Sequence, residues 1–102
     1  DLGQVGTTIL LDFMKSRGHD IRRQHRDCGT MIFDAEAQDT HSGGSGCGCS
    51  ALVLAAEILP KLMTGQWQRV LFLPTGALLS SVSFNEGNSV PGIAHGVILE
   101  HC

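Results

Sequence analysis

The sequence has few basic residues. Seven Lys and Arg stand against ten Asp and Glu in 102 residues, and the formal net charge is −3. The chain therefore offers no basic stripe as a footprint for nucleic acid or for an anionic membrane surface. Arg22, Arg23 and Arg26 form its sole cationic cluster, which we interpret as a solvated loop beside a helix end. We expect no nucleic-acid partner.

Long apolar runs are also missing. No stretch reaches the ~20 apolar residues that a membrane span needs. Asp1 opens the chain without the charged and apolar regions of a signal peptide. We therefore expect an intracellular protein with neither a transmembrane segment nor a targeting signal of its own.

Cysteines are too sparse for a secreted disulfide scaffold, and we interpret Cys28, Cys47, Cys49 and Cys102 as reduced thiols. Zinc is the alternative. Structural zinc sites usually bring two pairs of ligands, each two to four residues apart, whereas Cys47 and Cys49 have one intervening residue and no matching second pair. We expect neither a metal nor a cofactor.

At 102 residues the chain allows one small domain at most, and a composition of 42% hydrophobic and 17% charged residues indicates a packed globular chain. Periodicity predicts helices over 4–17 and 46–63, the first closed by Arg17-Gly18 and the second bent or shortened at Pro60. The remaining predicted elements are a buried strand at 30–33, a loop over 34–45, a strand at 70–73 covered on both faces, a loop over 75–91 and a final strand over 92–100.

Strand, helix and strand in this order predict a βαβ unit with a right-handed crossover. The strand at 70–73 would need hydrogen-bond partners on both sides, and the chain supplies too few strands for that. The sequence therefore indicates part of a larger α/β domain.

The most informative stretch is the glycine-rich segment 41–51, His-Ser-Gly-Gly-Ser-Gly-Cys-Gly-Cys-Ser-Ala. Its glycines allow positive φ angles and close approach to another surface, and the start of a helix leaves amide donors unpaired. The segment suits close approach either to a ligand or to a packed neighbour.

These residues resemble the C-terminal part of the stage V sporulation protein AD family, and the resemblance covers nearly the whole chain. The motifs that carry it are Asp1-Leu2-Gly3-Gln4-Val5-Gly6, Asp27-Cys28-Gly29, Gln38-Asp39-Thr40-His41, the segment from Gly43 to Ala51, Leu73 to Ser80, and Pro91-Gly92-Ile93-Ala94-His95.

That family is similar in fold to thiolases and 3-oxoacyl-carrier-protein synthases, which pack two related halves with strand order 3-2-1-4-5 and an antiparallel last strand. The resemblance implies that residues 1–102 are a thiolase-like C-terminal half-domain fragment with the order α-β-α-β-β. The first and second strands of the half would be missing, which leaves buried sheet edges unpaired.

Catalysis is a weaker expectation. Condensing enzymes of this type carry their cysteine nucleophile in the N-terminal half, and their C-terminal half contributes an Asn or His just ahead of the helix that here begins near Cys47. The matching stretch, Gly43–Gly46, offers neither side chain, and His41 lies two or three residues early. An acyltransferase remains the alternative function.

The resemblance implies instead a non-catalytic protein that binds dipicolinic acid, a pyridine dicarboxylate, for uptake into the developing spore. Its partners would be other uptake proteins of the spore membrane, and a homodimer is implied by sheet-edge dimerisation in the superfamily. It would be peripheral at the forespore or spore inner membrane. Helix-start amides and nearby hydroxyls would hold a carboxylate, although the glycines could instead serve only packing. The expected ligand-binding residues are His41, Gly44, Ser45, Gly46, Cys47, Thr75 and Gly76.

Overall fold

The computed structural model describes residues 3–41, 48–77, 81–89 and 92–102. The chain divides into two compact units, Asp1–Glu57 and Ile58–Cys102. Helices dominate the first unit and two antiparallel strand pairs the second, so the fold class is α/β as predicted. The elements are α1 (Gly3–Ser16), α2 (Cys28–Ile32), α3 (Cys49–Val53), a π-helical segment (Leu54–Ile58), α4 (Leu59–Met63), β1 (Arg69–Phe72), β2 (Thr75–Ala77), α5 (Ser81–Asn85), β3 (Gly92–Ala94) and β4 (Val97–Glu100).

Helix α1 confirms the predicted helix over 4–17 to within one residue at each end. Its C-terminus is closed by Gly18, whose φ of +88° is readily adopted only by glycine. The amide of Gly18 donates to the carbonyl of Lys15, and that of His19 donates to Met14, both at 3.0 Å. This pair of bonds is the Schellman arrangement, and it satisfies carbonyls that the helix end would leave unpaired.

The predicted strand at 30–33 is wrong, because these residues form most of α2 and its C-terminal cap. Asp27 explains why these residues form a helix although their side chains favour a strand. Its carboxylate accepts from the amide of Thr30 at 3.0 Å, and the hydroxyl of Thr30 donates back to the carbonyl of Asp27 at 3.0 Å. A helical turn thus satisfies the backbone locally, whereas a strand would require a neighbouring strand.

The predicted helix over 46–63 is confirmed from Cys49 to Met63; positions 46 and 47 lie outside the described residues. Gly48 precedes it with φ of +86°. The disturbance expected at Pro60 takes the form of the π-helical segment directly ahead of it. In a regular α-helix the proline ring would press on the carbonyl of Ala56, and Pro60 has no amide hydrogen to donate there. The wider π turn relieves that conflict.

Strand β1 confirms the predicted strand at 70–73, displaced by one residue. It pairs antiparallel with β4, in the register Arg69 opposite Glu100 and Phe72 opposite Val97. The expectation that both faces are covered is wrong, since Leu71 is 59% exposed. The expected βαβ unit is also absent from the described residues, because α2 replaces its first strand.

The predicted loop over 75–91 is wrong where the structure describes it. It contains β2 and α5, and β2 pairs antiparallel with β3. The predicted final strand over 92–100 is broken into β3 and β4 at His95-Gly96. A Cβ atom at Gly96 would lie 3.0 Å from the Leu73 Cδ2 atom, so any other residue here would require the Leu73 side chain to shift.

Burial is concentrated in the long helical run. Among the described residues the buried hydrophobic side chains are Cys49 and Val53 in the first unit and Ile58 and Leu62 in the second. In the second unit, His101 Nδ1 donates to the Leu62 carbonyl at 2.6 Å, which ties the end of the chain to α4. No helix in the described part of the chain is long and apolar enough to cross a bilayer.

Replacing Asp27 tests the origin of α2. Asp27→Ala removes the acceptor for the Thr30 amide, so we expect the free energy of unfolding to fall by about 1 kcal/mol. Asp27→Asn is the matched control, because asparagine caps a helix about as well as aspartate. Urea denaturation followed by circular dichroism measures both. Equal stability of Asp27→Ala and the unsubstituted chain would contradict the capping role.

Candidate functional site

The first unit contains a cavity of about 240 Å³. It lies between the start of α1, helix α2 and the turns that follow α2. Gly3 and Gly29 are buried in its wall, where the lack of side chains leaves space. Its lining residues are Gly3, Gln4, Gly29, Thr30, Phe33, Ala35, Thr40 and His41.

A hydrogen-bonded turn carries the chain from α2 back to the cavity. The carboxylate of Asp34 accepts from the amides of Glu36 and Ala37 at 3.0 and 2.9 Å. The side-chain oxygen of Gln38 accepts from the amide of Asp34 at 2.8 Å, and the amide of Thr40 donates to the carbonyl of Ala35 at 3.3 Å. These bonds return Thr40 and His41 to the cavity wall.

His41 has an unusual backbone conformation, and its side chain makes one exposed contact. Its φ is +52°, as is that of Asp39 two residues earlier, and both are non-glycine residues in the left-handed region. The imidazole Nε2 lies 3.5 Å from the Asp39 carboxylate, with both side chains more than 80% exposed. A pair so exposed contributes little stability, so the imidazole is free to turn toward a ligand.

The cavity lining is mostly apolar, with four polar side chains and no carboxylate. Gln4 supplies an amide, Thr30 and Thr40 supply hydroxyls, and His41 supplies an imidazole. Gln4, Thr40 and His41 can donate hydrogen bonds to a ligand, whereas the Thr30 hydroxyl already donates to the Asp27 carbonyl and can only accept. Phe33, half-buried, adds an aromatic ring. The arrangement suits a small molecule with hydrogen-bond acceptors and a flat apolar face.

The predicted ligand-binding residues are only partly placed. His41 lines the cavity. Gly44, Ser45, Gly46 and Cys47 lie outside the described residues. Thr75 and Gly76 belong to β2, in the second unit.

Gln4, Thr30, Phe33 and Thr40 line the cavity but are not among the predicted site residues. The sequence carries a signal for two of them, because Gln4 and Thr40 lie inside motifs that carry the family resemblance. Thr30 and Phe33 fall in the predicted strand at 30–33, and that prediction gives them no place beside the turn. The local cue was Asp27, an N-cap residue three positions ahead of Thr30.

The described cysteines, Cys28, Cys49 and Cys102, are free thiols. Burial raises the pKa of Cys28, and the neighbouring Cys49 and Asp27 raise it further. Burial and Asp27 likewise raise the pKa of Cys49. A raised pKa keeps a thiol protonated and poorly nucleophilic. Across the described residues, no three His, Cys, Asp or Glu side chains gather in a way that could hold a metal ion.

The family assignment follows from comparison with known proteins. The family model described as Stage V sporulation protein AD (SpoVAD) matches residues 1–100. The chain belongs to the stage V sporulation protein AD family. It is 41% identical over 100 residues to the stage V sporulation protein AD of Bacillus subtilis (strain 168). That match covers 98% of this chain but 29% of the relative, so the chain spans less than a third of the relative's length.

Thiol alkylation tests the electrostatics beside α2. We expect the rate of Cys28 alkylation to rise with pH at a midpoint above the ordinary thiol pKa of about 8.5. Asp27→Asn removes a negative charge that opposes the thiolate, so the midpoint should move down. Mass spectrometry of peptides separates Cys28 from the other cysteines. A midpoint unchanged by Asp27→Asn would show that Asp27 does not act on this thiol.

The raised pKa values of Cys28 and Cys49 predict that the folded chain loses stability at high pH. The folded chain holds the Cys28 and Cys49 protons more tightly than the unfolded chain does. Their contribution to stability is therefore complete below the ordinary thiol pKa and is lost as the pH rises through the raised folded values. Urea denaturation at increasing alkaline pH should show this loss, and a Cys28→Ala variant should show less of it.

Proposed function

We propose that this chain contributes a dipicolinate-binding surface to a non-catalytic, thiolase-like member of its family, acting in uptake of the ligand during sporulation. Family membership supports a role in sporulation. The observation that supports the ligand is the cavity beside α2, whose lining includes the hydrogen-bond donors of Gln4, Thr40 and His41. Placement at the forespore or spore inner membrane, and partnership with other uptake proteins, belong to the same proposal.

The chemistry of the ligand matches the lining. Dipicolinate is a flat pyridine ring with two carboxylates, so it presents acceptors at its rim and apolar faces. Amide, hydroxyl and imidazole donors around the cavity suit the carboxylates, and Phe33 suits the ring. A volume of about 240 Å³ lies just below the usual range of ligand pockets and fits a ligand of this small size.

The predicted donors remain part of the proposal. Gly44, Ser45, Gly46 and Cys47 lie three to six residues after His41 in the sequence. We keep them, with Thr75 and Gly76, as proposed ligand-binding residues.

The thiolase-like architecture is supported by one feature of the second unit. In that fold the last strand of each half runs antiparallel to its neighbour, and β4 runs antiparallel to β1. The first and second strands of the half would come from polypeptide beyond this chain.

The acyltransferase alternative gains no support from the family assignment or from the protonated state favoured for Cys28 and Cys49.

Filling the cavity tests the proposal most simply. Ala35→Trp puts an indole ring into the cavity, so saturable heat on titration with dipicolinic acid should disappear. Ala37→Trp is the matched control, since Ala37 is exposed in the same turn and does not line the cavity. Isothermal titration calorimetry measures both. Unchanged binding by Ala35→Trp would place the ligand elsewhere, and no heat with the unsubstituted chain would contradict the ligand.

His41 has a separate test. Removing one hydrogen bond to a charged group costs about 1.5 to 3 kcal/mol when the group is desolvated, and less at an exposed position. We therefore expect His41→Ala to weaken binding about tenfold. His19→Ala, which removes another exposed imidazole, should leave affinity unchanged. Equal affinities of the two variants would exclude His41 from the site.

A further inference from the structure

Two thiols of the first unit lie at the starts of neighbouring helices. Cys28 is the first residue of α2 and Cys49 is the first residue of α3. Helices α2 and α3 pack against each other. Each helix has five residues, so its first residue lies at most about 6 Å along the axis from any other residue of that helix. The packing of α2 on α3 therefore brings the two cysteines close together.

Both thiols are withdrawn from solvent at this contact. Cys49 is 7% exposed and Cys28 is half-buried. Gly29, which follows Cys28, is buried and has no side chain to hold the two helices apart. The charge of Asp27 acts on both thiols, and the charge of Cys49 acts on Cys28. Because electrostatic interactions weaken with distance, these three side chains form one cluster.

We propose that Cys28 and Cys49 form a reversible disulfide, which joins α2 to α3, when the chain meets an oxidised low-molecular-weight thiol, R–S–S–R. Both are free thiols in this structure, which is therefore the reduced form. The bond lies within one unit of the chain. It depends neither on the proposed function nor on what covers the surface of the unit.

The reaction is a thiol–disulfide exchange in two steps. The thiolate of Cys28, the more exposed of the two, attacks one sulfur of R–S–S–R, so that a mixed disulfide forms and one RS⁻ leaves. The thiolate of Cys49 then attacks the Cys28 sulfur, the bond between the two cysteines forms, and the second RS⁻ leaves. The two thiol protons end on two RSH molecules, and two electrons pass from the protein to R–S–S–R.

The surroundings of the two sulfurs set the rate of this reaction and the stability of its product. Burial and neighbouring negative charge raise the pKa of both thiols, so little thiolate is present at neutral pH and exchange is slow. A low thiol pKa stabilises the reduced form and makes a disulfide easy to reduce, and a raised pKa has the opposite effect. We therefore expect formation that accelerates with pH and a product that resists mild reductants.

The bond would close the chain between positions 28 and 49. This stretch includes Phe33, Ala35, Thr40 and His41 of the cavity lining. A crosslink between the ends of a segment restricts the unfolded chain. The oxidised chain should therefore unfold at a higher urea concentration than the reduced chain.

Oxidation of the 102-residue chain with oxidised glutathione at mildly alkaline pH tests the proposal. The double variant Cys47→Ser/Cys102→Ser retains only the proposed pair. Its intact mass should fall by two hydrogen atoms, and the product should remain monomeric. Cleavage before aspartate should recover residues 27–33 linked to the peptide that begins at Asp39. The urea midpoint should exceed that of the same variant after reduction.

The double variant Cys49→Ser/Cys102→Ser is the matched control, because it retains Cys28 with Cys47 instead. It should yield free thiols or glutathione adducts, and circular dichroism confirms that each variant folds. Equal yields of internal disulfide in the two double variants would overturn the proposal. So would disulfide-linked dimers, glutathione adducts without an internal bond, or an oxidised product whose urea midpoint is no higher than that of the reduced form.

Discussion

The carboxylate of Asp27 is the interaction on which the first unit depends. By accepting from the Thr30 amide it fixes the start of α2, and α2 places Gly29, Thr30 and Phe33 around the cavity. Burial raises the pKa of Cys28 and Cys49, at the first residues of α2 and α3, and the negative charge of Asp27 raises both further. One side chain therefore fixes the local backbone and the shape of the cavity, and it adds to the effect of burial on two thiols.

The second constraint is a small core. Four buried hydrophobic side chains lie along the helical run among the described residues, while larger apolar side chains such as Phe13, Leu71 and Phe84 are more than half exposed. Exposed apolar area on this scale marks surfaces made for contact.

Sequence periodicity predicted the long elements, because a helix such as α1 repeats its pattern over four turns and ends with a glycine whose conformation is required. It also located β1 from a continuous apolar run. It failed for the short segment 30–33, where a single capping carboxylate outweighs strand propensity. Pro60 predicts that the helix is bent or shortened there, but the sequence does not distinguish those outcomes from the π turn that the structure shows. His41 is predicted from its place beside the glycines, whereas Gln4 and Thr30 are distant in sequence and only the fold brings them to the same cavity.

The central claim is that the cavity beside α2 binds a small dicarboxylate. The most direct measurement is amide chemical-shift mapping by nuclear magnetic resonance on the ¹⁵N-labelled chain titrated with dipicolinic acid. The account predicts saturable shifts at Gly29, Thr30, Thr40 and His41, with the strand pair of β1 and β4 unaffected. Shifts confined to the second unit, or none in the first, would contradict it.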